Sequence, residues 1–123
     1  MPFVHTETVR FRDVDALGHV NNAAYLTYLE QARIAFLAPM GADQTGMILA
    51  RAEIDFRAQV GFGDEVEIEV EPLRVGTKSF ELGYTVRVRG AVVAEAKTVL
   101  VAFDYSAGQA VPVPDGWRSA LAA

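Results

Sequence analysis

Apolar and polar residues alternate along much of this chain, with a period of two over several separate stretches. A period of two places successive side chains on opposite faces of a strand, so each stretch predicts a strand with one apolar face. Short turns that contain glycine separate the later stretches, and strands joined in this way form an antiparallel sheet. The predicted strands are residues 4–12, 48–59, 65–71, 80–89 and a more uniformly apolar fifth strand, 91–103.

One long helix is predicted, over residues 23–38. Asn21 or Asn22 can cap its start, and Pro39 stops it. Apolar residues lie on nearly every side of this helix, which is typical of a helix that other elements surround. The pattern therefore predicts an α+β fold in which about five antiparallel strands wrap around one central helix. The tail, residues 105–123, is predicted to be a loop with a short final helix.

Length and composition narrow the class of protein. The 123 residues fit a single domain, residues 1–123, and an apolar fraction of 51% hints at a subunit interface. The net charge is −5 without a basic block, so neither nucleic acid nor an anionic membrane is an expected partner. The absence of cysteine excludes a cysteine nucleophile, and two histidines are too few to favour a metal site. We see no signal peptide and no run of membrane-spanning length, so we expect a soluble cytoplasmic protein.

Polar residues are densest just before the predicted helix, in residues 13–22. The free amides at a helix start carry partial positive charge, which suits a negative oxygen that develops in a transition state. A nearby carboxylate, Asp13 or Asp15, can activate water or attack directly. The same residues are also ordinary caps and turn formers, and His19 alone is more often structural than catalytic. On the residues alone the structural interpretation is favoured.

A longer motif around these residues favours the functional interpretation over the structural one. Residues 11–26, FRDVDALGHVNNAAYL, together with Glu30-Gln31-Ala32-Arg33, resemble the signature of the 4-hydroxybenzoyl-CoA thioesterase-like family of hot-dog proteins. The resemblance continues through residues 54–56, 63–66 and 76–80, and so covers nearly the whole chain. It implies a hot-dog fold and an acyl-CoA thioesterase that needs no metal or redox cofactor. It also implies a homodimer, alone or paired into a dimer of dimers, whose sheets join edge to edge with active sites between subunits.

The resemblance also implies roles for individual residues. Asp15 matches the catalytic carboxylate of the family, acting as base or nucleophile. Asn22 matches the position whose backbone amide polarises the thioester carbonyl. His19 and Tyr25 are expected to contact the substrate, and Tyr25 to form part of the core or the pocket wall. Glu30 and Arg33 are spaced to pair on the helix, so we interpret them as structural.

The phosphates of CoA are expected to be bound elsewhere on the chain. Lys78, with Ser79 beside it, matches a position that contacts the CoA phosphates from the neighbouring subunit. The basic residues that some family members have just before it are Gly76 and Thr77 here. Residues 19–22 resemble the fatty acyl branch of the family more than the aromatic branch. Leu17 replaces an asparagine of the plant enzymes in that branch, so their histidine-based mechanism is not carried over.

Two other functions remain as alternatives. A hydratase or dehydratase on the same fold pairs an aspartate with a histidine five positions later, whereas Asp15 and His19 are four apart. A non-catalytic acyl-CoA-binding protein is the other alternative, since a fold does not fix a function. The acyl group, fatty or aryl, and the carrier, CoA or acyl-carrier protein, stay open.

Overall fold

The computed structural model describes residues 2–42 and 44–122. Its elements follow the predicted order, with a long helix early and a series of strands after it. They are β1 (Phe3–Thr8), a 3₁₀ turn (Phe11–Asp13), α1 (Asn22–Leu37), 3₁₀ turns at Ala38–Met40 and Gln44–Gly46, β2 (Met47–Phe56), β3 (Glu65–Val75), β4 (Ser79–Val88), β5 (Ala91–Asp104), the two-residue β6 (Gln109–Ala110) and α2 (Asp115–Ala122).

The first strand is shorter than predicted. Residues 4–12 were expected to be extended, but β1 ends at Thr8 and the chain turns at Phe11–Asp13. The reason is local, because the Asp13 carboxylate accepts a hydrogen bond of 3.0 Å from the backbone amide of Arg10 and draws the chain into a turn.

The strands form one antiparallel sheet in the order β1-β3-β4-β5-β2, with β6 paired to the end of β5. The hairpins β3–β4 and β4–β5 follow the predicted pairing of consecutive strands. Consecutive pairing was also expected for β2 and β3, and this expectation is wrong. β2 lies at the opposite edge of the sheet from β1 and pairs with β5. Residues 57–64 carry the chain from one side of the sheet to the other, and β1 occupies the place beside β3.

The core lies between one face of the sheet and one side of α1. Alternate residues of β3 and β4 point inward as predicted, and each buried side chain of this size contributes roughly 1.5–3 kcal/mol. The sheet supplies Val66, Ile68, Val70, Phe80, Leu82, Tyr84, Val86 and Val88, and the helix supplies Tyr25, Tyr28, Leu29, Ala32 and Leu37.

The helix is not surrounded within one chain, contrary to the expectation from its sequence. Leu26 and Ile34 are 46% and 38% exposed, because the five strands cover only one side of α1. The second strand is also more exposed than its alternation predicts. A register shift between Leu49 and Arg51 interrupts that alternation, and Leu49 and Phe56 remain exposed. One edge of the protein therefore presents apolar side chains to the solvent.

The outer face of the sheet is charged, as the glutamates of β3 and the arginines of β4 predicted. Arg87 Nη1 lies 3.0 Å from Glu69 Oε1, and Lys97 Nζ lies 3.4 Å from Glu53 Oε2. Such partly exposed pairs contribute little to stability, about 0–1 kcal/mol each. Within residues 2–42 and 44–122, no helix is long and apolar enough to cross a membrane.

A single polar pair interrupts the apolar side of β4 and β5. The Tyr84 hydroxyl and Thr98 Oγ1 lie 2.7 Å apart, and both residues are buried. A hydrogen bond between two buried hydroxyls contributes modestly, but an unpaired buried hydroxyl is destabilising.

We expect Thr98→Val to lower the free energy of unfolding by about 1–3 kcal/mol, because it leaves the Tyr84 hydroxyl buried without a partner. The double variant Thr98→Val/Tyr84→Phe removes both polar groups, so its loss should be smaller than the sum of the two single losses. Urea unfolding of the four proteins measures this. Strictly additive losses would contradict it.

Candidate active site

The segment between β1 and α1 is anchored by a buried carboxylate, Asp13, which is 7% exposed. Asp13 Oδ2 accepts hydrogen bonds from the Tyr28 hydroxyl at 2.8 Å and from Arg10 Nε at 3.3 Å, besides the Arg10 amide. Burial by itself raises the pKa of Asp13, but the bonds from Arg10 and Tyr28 outweigh it and hold that pKa below its usual value. Asp13 is therefore an ionised anchor that joins this segment to α1.

Four backbone hydrogen bonds fold the rest of the segment into a tight turn. They are Asp15 N to His19 O (2.9 Å), Gly18 N to Asp15 O (3.0 Å), Val20 N to Val60 O (2.7 Å) and Asn21 N to Asp13 O (2.8 Å). Gly18 has a φ of 81°, a left-handed conformation that a residue without Cβ adopts at no steric cost. The turn is therefore fixed between α1 and the segment that follows β2.

Asp15 lies in this turn and is exposed. Its Oδ1 accepts a hydrogen bond of 2.9 Å from the Leu17 amide, which orients the carboxylate. Within the described parts of the chain, its Oδ2 accepts no hydrogen bond. One carboxylate oxygen is thus available to a water molecule or to a substrate.

Asn21, rather than Asn22, caps α1: its side-chain oxygen accepts a hydrogen bond of 2.9 Å from the Ala23 amide. Asn22 is the first residue of the helix, where backbone amides have no partner inside the helix. The positive end of the helix dipole lies at this point. The Asn22 amide is therefore suited to a partly negative oxygen.

These groups border one cleft of about 340 Å³ at the amino end of α1. The cleft brings together four of the predicted residues: Asp15, His19, Asn22 and Tyr25. His19 is half-buried, and an isolated backbone bridge joins it to Gly61. The remaining wall comes from Leu17, Val20, Phe56, Arg57, Ala58, Gln59 and Val60.

The wall of the cleft is aromatic on one side. The Tyr25 ring meets the Phe56 ring edge to face, with centroids 5.0 Å apart, and contacts Tyr28 on its other side at 6.0 Å. Burial raises the pKa of Tyr25, so its hydroxyl stays protonated at neutral pH. Tyr25 therefore forms part of the wall of the cleft, and its contact with a substrate stays a prediction.

The sequence assigned no role in a site to Phe56 or Arg57, although both border the cleft. Phe56 lies in the segment 54–56 that resembles the family, and Arg57 directly follows it. Arg57 Nε donates to Glu95 Oε1 at 2.7 Å, which holds a cation at the rim of the cleft. Alternation alone gives no signal for either role, because only the fold brings the end of β2 beside the helix start.

Lys78 and Ser79 do not lie in this cleft. The Lys78 carbonyl accepts a hydrogen bond of 2.8 Å from the Ala102 amide, and Ala102 pairs with Met47 at the start of β2. Phe56, which borders the cleft, is at the other end of that strand. The ten residues of β2 span roughly 30 Å, so Lys78 is remote from the Asp15 of its own chain.

Glu30 and Arg33 are close but not hydrogen-bonded, with 3.9 Å between Arg33 Nη2 and Glu30 Oε2. Arg33 is buried and Glu30 is half exposed. Both lie on α1 outside the cleft, in agreement with a structural role. The described ranges hold no group of three or more histidine, aspartate or glutamate side chains arranged to bind a metal ion.

Solved structures with this architecture include several thioesterases. The family model of the thioesterase-like superfamily matches residues 9–121, and the chain belongs to that family. The curled five-stranded sheet with one long helix is the hot-dog fold of that class, as the sequence predicted.

Individual proteins that are similar to this chain are named as thioesterases or as hydrolases of CoA thioesters. A 1,4-dihydroxy-2-naphthoyl-CoA hydrolase from Nostoc punctiforme is 32% identical over 94% of this chain and 83% of its own length. The crystal structure of a Thermus thermophilus thioesterase complexed with coenzyme A and Zn is 34% identical, with a TM-score of 0.89, covering 96% of this chain and 90% of that one. A gentisyl-coenzyme A thioesterase structure is 27% identical, with a TM-score of 0.87, covering 98% and 100%.

We expect Asp13→Asn to lower the free energy of unfolding at pH 7 by about 1–3 kcal/mol, because buried donors then lose an ionised acceptor. A carboxyl whose pKa is lower in the folded state stabilises the fold above its unfolded pKa, near 3.9, and loses this effect as the pH falls through the folded pKa. The difference between wild type and variant should therefore shrink on going from pH 7 to pH 3. Urea unfolding at both pH values measures it.

Glu71→Gln, the same change of charge at an exposed carboxylate of β3, is the control and should show little of this effect. A difference between wild type and Asp13→Asn that stays constant with pH would mean that Asp13 is not ionised in its buried network.

Proposed function

We propose that this protein hydrolyses the thioester of an acyl-CoA to the free acid and CoA, at the cleft between Asp15 and the start of α1. The observation that carries this proposal is that one cleft holds both a carboxylate with an available oxygen and the Asn22 amide, which donates to none of the residues the structure describes. Thioester hydrolysis requires both an activated oxygen nucleophile and a donor for the carbonyl oxygen. The family assignment and the names of the relatives support the same reaction.

The chemistry uses the two groups in turn. Asp15 either takes a proton from a water molecule that attacks the thioester carbon or attacks that carbon itself. The carbonyl oxygen becomes negative and accepts a hydrogen bond from the Asn22 amide, where the helix dipole also favours negative charge. The C–S bond then breaks, and the CoA sulfur leaves as a thiolate that takes up a proton. If Asp15 attacks directly, it forms a mixed anhydride with the acyl group. A water molecule then cleaves this anhydride, which releases the acid and restores Asp15.

An aromatic acyl group suits the cleft best. The edge-to-face pair of Tyr25 and Phe56 offers an aromatic wall to a planar ring, since aromatic rings favour such contacts. Two of the relatives are named for the hydrolysis of 1,4-dihydroxy-2-naphthoyl-CoA and gentisyl-CoA, and both compounds are aryl thioesters. This support outweighs the likeness of residues 19–22 to the fatty acyl branch. CoA is the proposed carrier, because the solved relative from Thermus thermophilus holds coenzyme A.

A second copy of the chain is the proposed partner. The outer edge of β2 carries no strand, and an open sheet edge is a ready template for pairing. Exposed Leu49 and Phe56 on β2, with Leu26 and Ile34 on α1, provide apolar area beside that edge. A homodimer that joins the two β2 strands would cover both features, and a cytoplasmic location suits a cysteine-free chain that acts on acyl-CoA.

The same pairing would complete the site. When two copies of β2 pair antiparallel, the Met47 end of one copy lies beside the Phe56 end of the other. That arrangement brings the Lys78 turn of one subunit toward the Asp15 cleft of its partner. Lys78 would then meet CoA phosphates there, which a protein with a net charge of −5 needs a local cation to receive.

We expect Asp15→Asn to lower kcat at least about a hundredfold while KM changes little, because the amide keeps the shape and loses the base or nucleophile. Free thiol release from a panel of naphthoyl-CoA, benzoyl-CoA and fatty acyl-CoA thioesters measures turnover, and the aryl substrates should have the higher kcat/KM. Asp104→Asn, an exposed aspartate at the far end of β5, is the matched control.

Near wild-type turnover by Asp15→Asn would remove Asp15 from the mechanism. Tight CoA binding without hydrolysis of any thioester by the wild type would favour the non-catalytic binding protein. Hydration of an enoyl-CoA in place of thiol release would favour the hydratase.

The intersubunit site predicts complementation between two defective variants. Asp15→Asn is expected to be inactive, and Lys78→Ala to raise KM several-fold with little change in kcat. A mixed dimer of these variants has one doubly defective site and one site with both native residues. After subunit exchange, the mixture should therefore show a new component with the wild-type KM. At substrate concentrations well below the KM of Lys78→Ala, a rate equal to the mean of the two parent proteins would contradict a site built from two chains.

A further inference from the structure

The turn between β3 and β4, residues 76–79, is held by an unusually complete set of hydrogen bonds. All four of its carbonyl oxygens accept hydrogen bonds from N–H groups of the protein. The bonds are Arg118 Nη2 to Gly76 O (2.7 Å) and to Thr77 O (3.2 Å), Val113 N to Thr77 O (2.9 Å), Ala102 N to Lys78 O (2.8 Å) and Gly76 N to Ser79 O (2.7 Å).

One guanidinium nitrogen accounts for two of these carbonyls. Arg118 lies on α2 and is half-buried, and within residues 2–42 and 44–122 Gly76 O accepts no hydrogen bond other than the one from Arg118. The neighbouring Trp117 packs its ring edge to face on Phe80 at 6.3 Å, which fixes α2 against the start of β4. Arg118 therefore reaches the turn from a helix that is itself anchored.

This arrangement determines the polarity of the outer surface of the turn. The carbonyl oxygens of the turn accept hydrogen bonds from the rest of the protein. The backbone amides of Thr77 and Lys78, in contrast, donate no hydrogen bond to any described residue. Lys78 is exposed and adds its ammonium to the same turn. Consecutive free amides near a cation form a surface that suits an anion such as a phosphate.

We infer that Arg118 is the positioning residue of the CoA phosphate site, acting through the backbone of residues 76–79. This inference rests on the proposed function, and in particular on the contact between Lys78 and the CoA phosphates. Without the guanidinium, Gly76 O loses its partner, and its dipole is free to turn toward the surface where the phosphate binds. The turn then no longer presents Lys78 and the two amides together.

Four variants test this role: Arg118→Ala, Arg118→Lys, Lys78→Ala and the double variant Arg118→Ala/Lys78→Ala. We expect Arg118→Ala to raise KM for the acyl-CoA, and Kd for CoA in calorimetry, roughly three- to ten-fold with kcat within about twofold. Arg118→Lys keeps the charge but replaces the rigid guanidinium with a flexible ammonium group whose contact with the two carbonyls is less fixed, so it should retain part of the defect. The double variant should be little worse than Lys78→Ala, because both changes disable one turn.

Two controls separate positioning from charge and from stability. Arg74→Ala removes an equally charged, 75% exposed side chain from the adjacent strand β3 and should change KM less than about twofold. Hydrolysis of an N-acetylcysteamine thioester, which has no phosphate, should be the same for Arg118→Ala and the wild type. A loss with that substrate as well would make Arg118 merely structural and overturn the inference.

The remaining outcomes also decide the question. An unchanged KM and Kd in Arg118→Ala, beside a raised KM in Lys78→Ala, would overturn the role of Arg118 and leave the proposed thioesterase intact. Full rescue by Arg118→Lys, or additive defects in the double variant, would mean that Arg118 acts by charge and not through the turn. Unchanged CoA binding in Lys78→Ala would overturn the phosphate site itself, whether or not the wild type hydrolyses thioesters.

Discussion

The hydrogen bond between the Tyr28 hydroxyl and the buried Asp13 carboxylate holds the cleft together. Tyr28 belongs to the helix and Asp13 to the segment before it, so this bond fixes the one relative to the other. The Asp13 carbonyl also accepts a hydrogen bond from the Asn21 amide, and this bond positions Asn21 as the cap of α1. Asp15 lies two residues after Asp13 and Asn22 directly follows Asn21, so this anchor determines the distance between Asp15 and the Asn22 amide. Asp13 is thus a structural carboxylate two residues before Asp15, and it fixes the segment that carries Asp15 to α1.

The open side of the molecule is a second constraint. Within the described residues β2 pairs along one edge only and α1 is covered on one side, and both elements leave apolar side chains exposed. A small chain of this kind gains from a partner that covers both at once. The proposed division of the site between subunits follows from the direction of β2, because the cleft and the Lys78 turn lie at opposite ends of that strand. Catalysis and phosphate binding would then depend on the same surface that stabilises the assembly.

Much of the fold follows from the sequence, because period-two alternation and one long capped helix are local properties. The order of the strands does not, since nothing in residues 57–64 states which edge of the sheet β2 will join. The register shift between Leu49 and Arg51 could not be predicted either, because a bulge changes which face of the sheet the following side chains point to without changing the composition of the strand. In the site, the motif of residues 11–26 predicted that Asp15, His19, Asn22 and Tyr25 lie together. The matching segment 54–56 gave Phe56 no role in the site, and Arg118 lies in no matching segment, since its contact with Gly76 joins residues that are 42 positions apart.

Gly18 leaves room for variation at the mouth of the cleft. Its φ of 81° requires a residue that tolerates the left-handed region, yet a Cβ at this position would meet no atom within 4 Å. The restriction is therefore torsional and not steric. Asparagine and aspartate enter that region more readily than other residues, so either can replace the glycine while its side chain projects into open space beside Asp15. The entrance could then acquire a new polar group without any rebuilding of the turn, which gives related sequences a simple route to altered substrate preference.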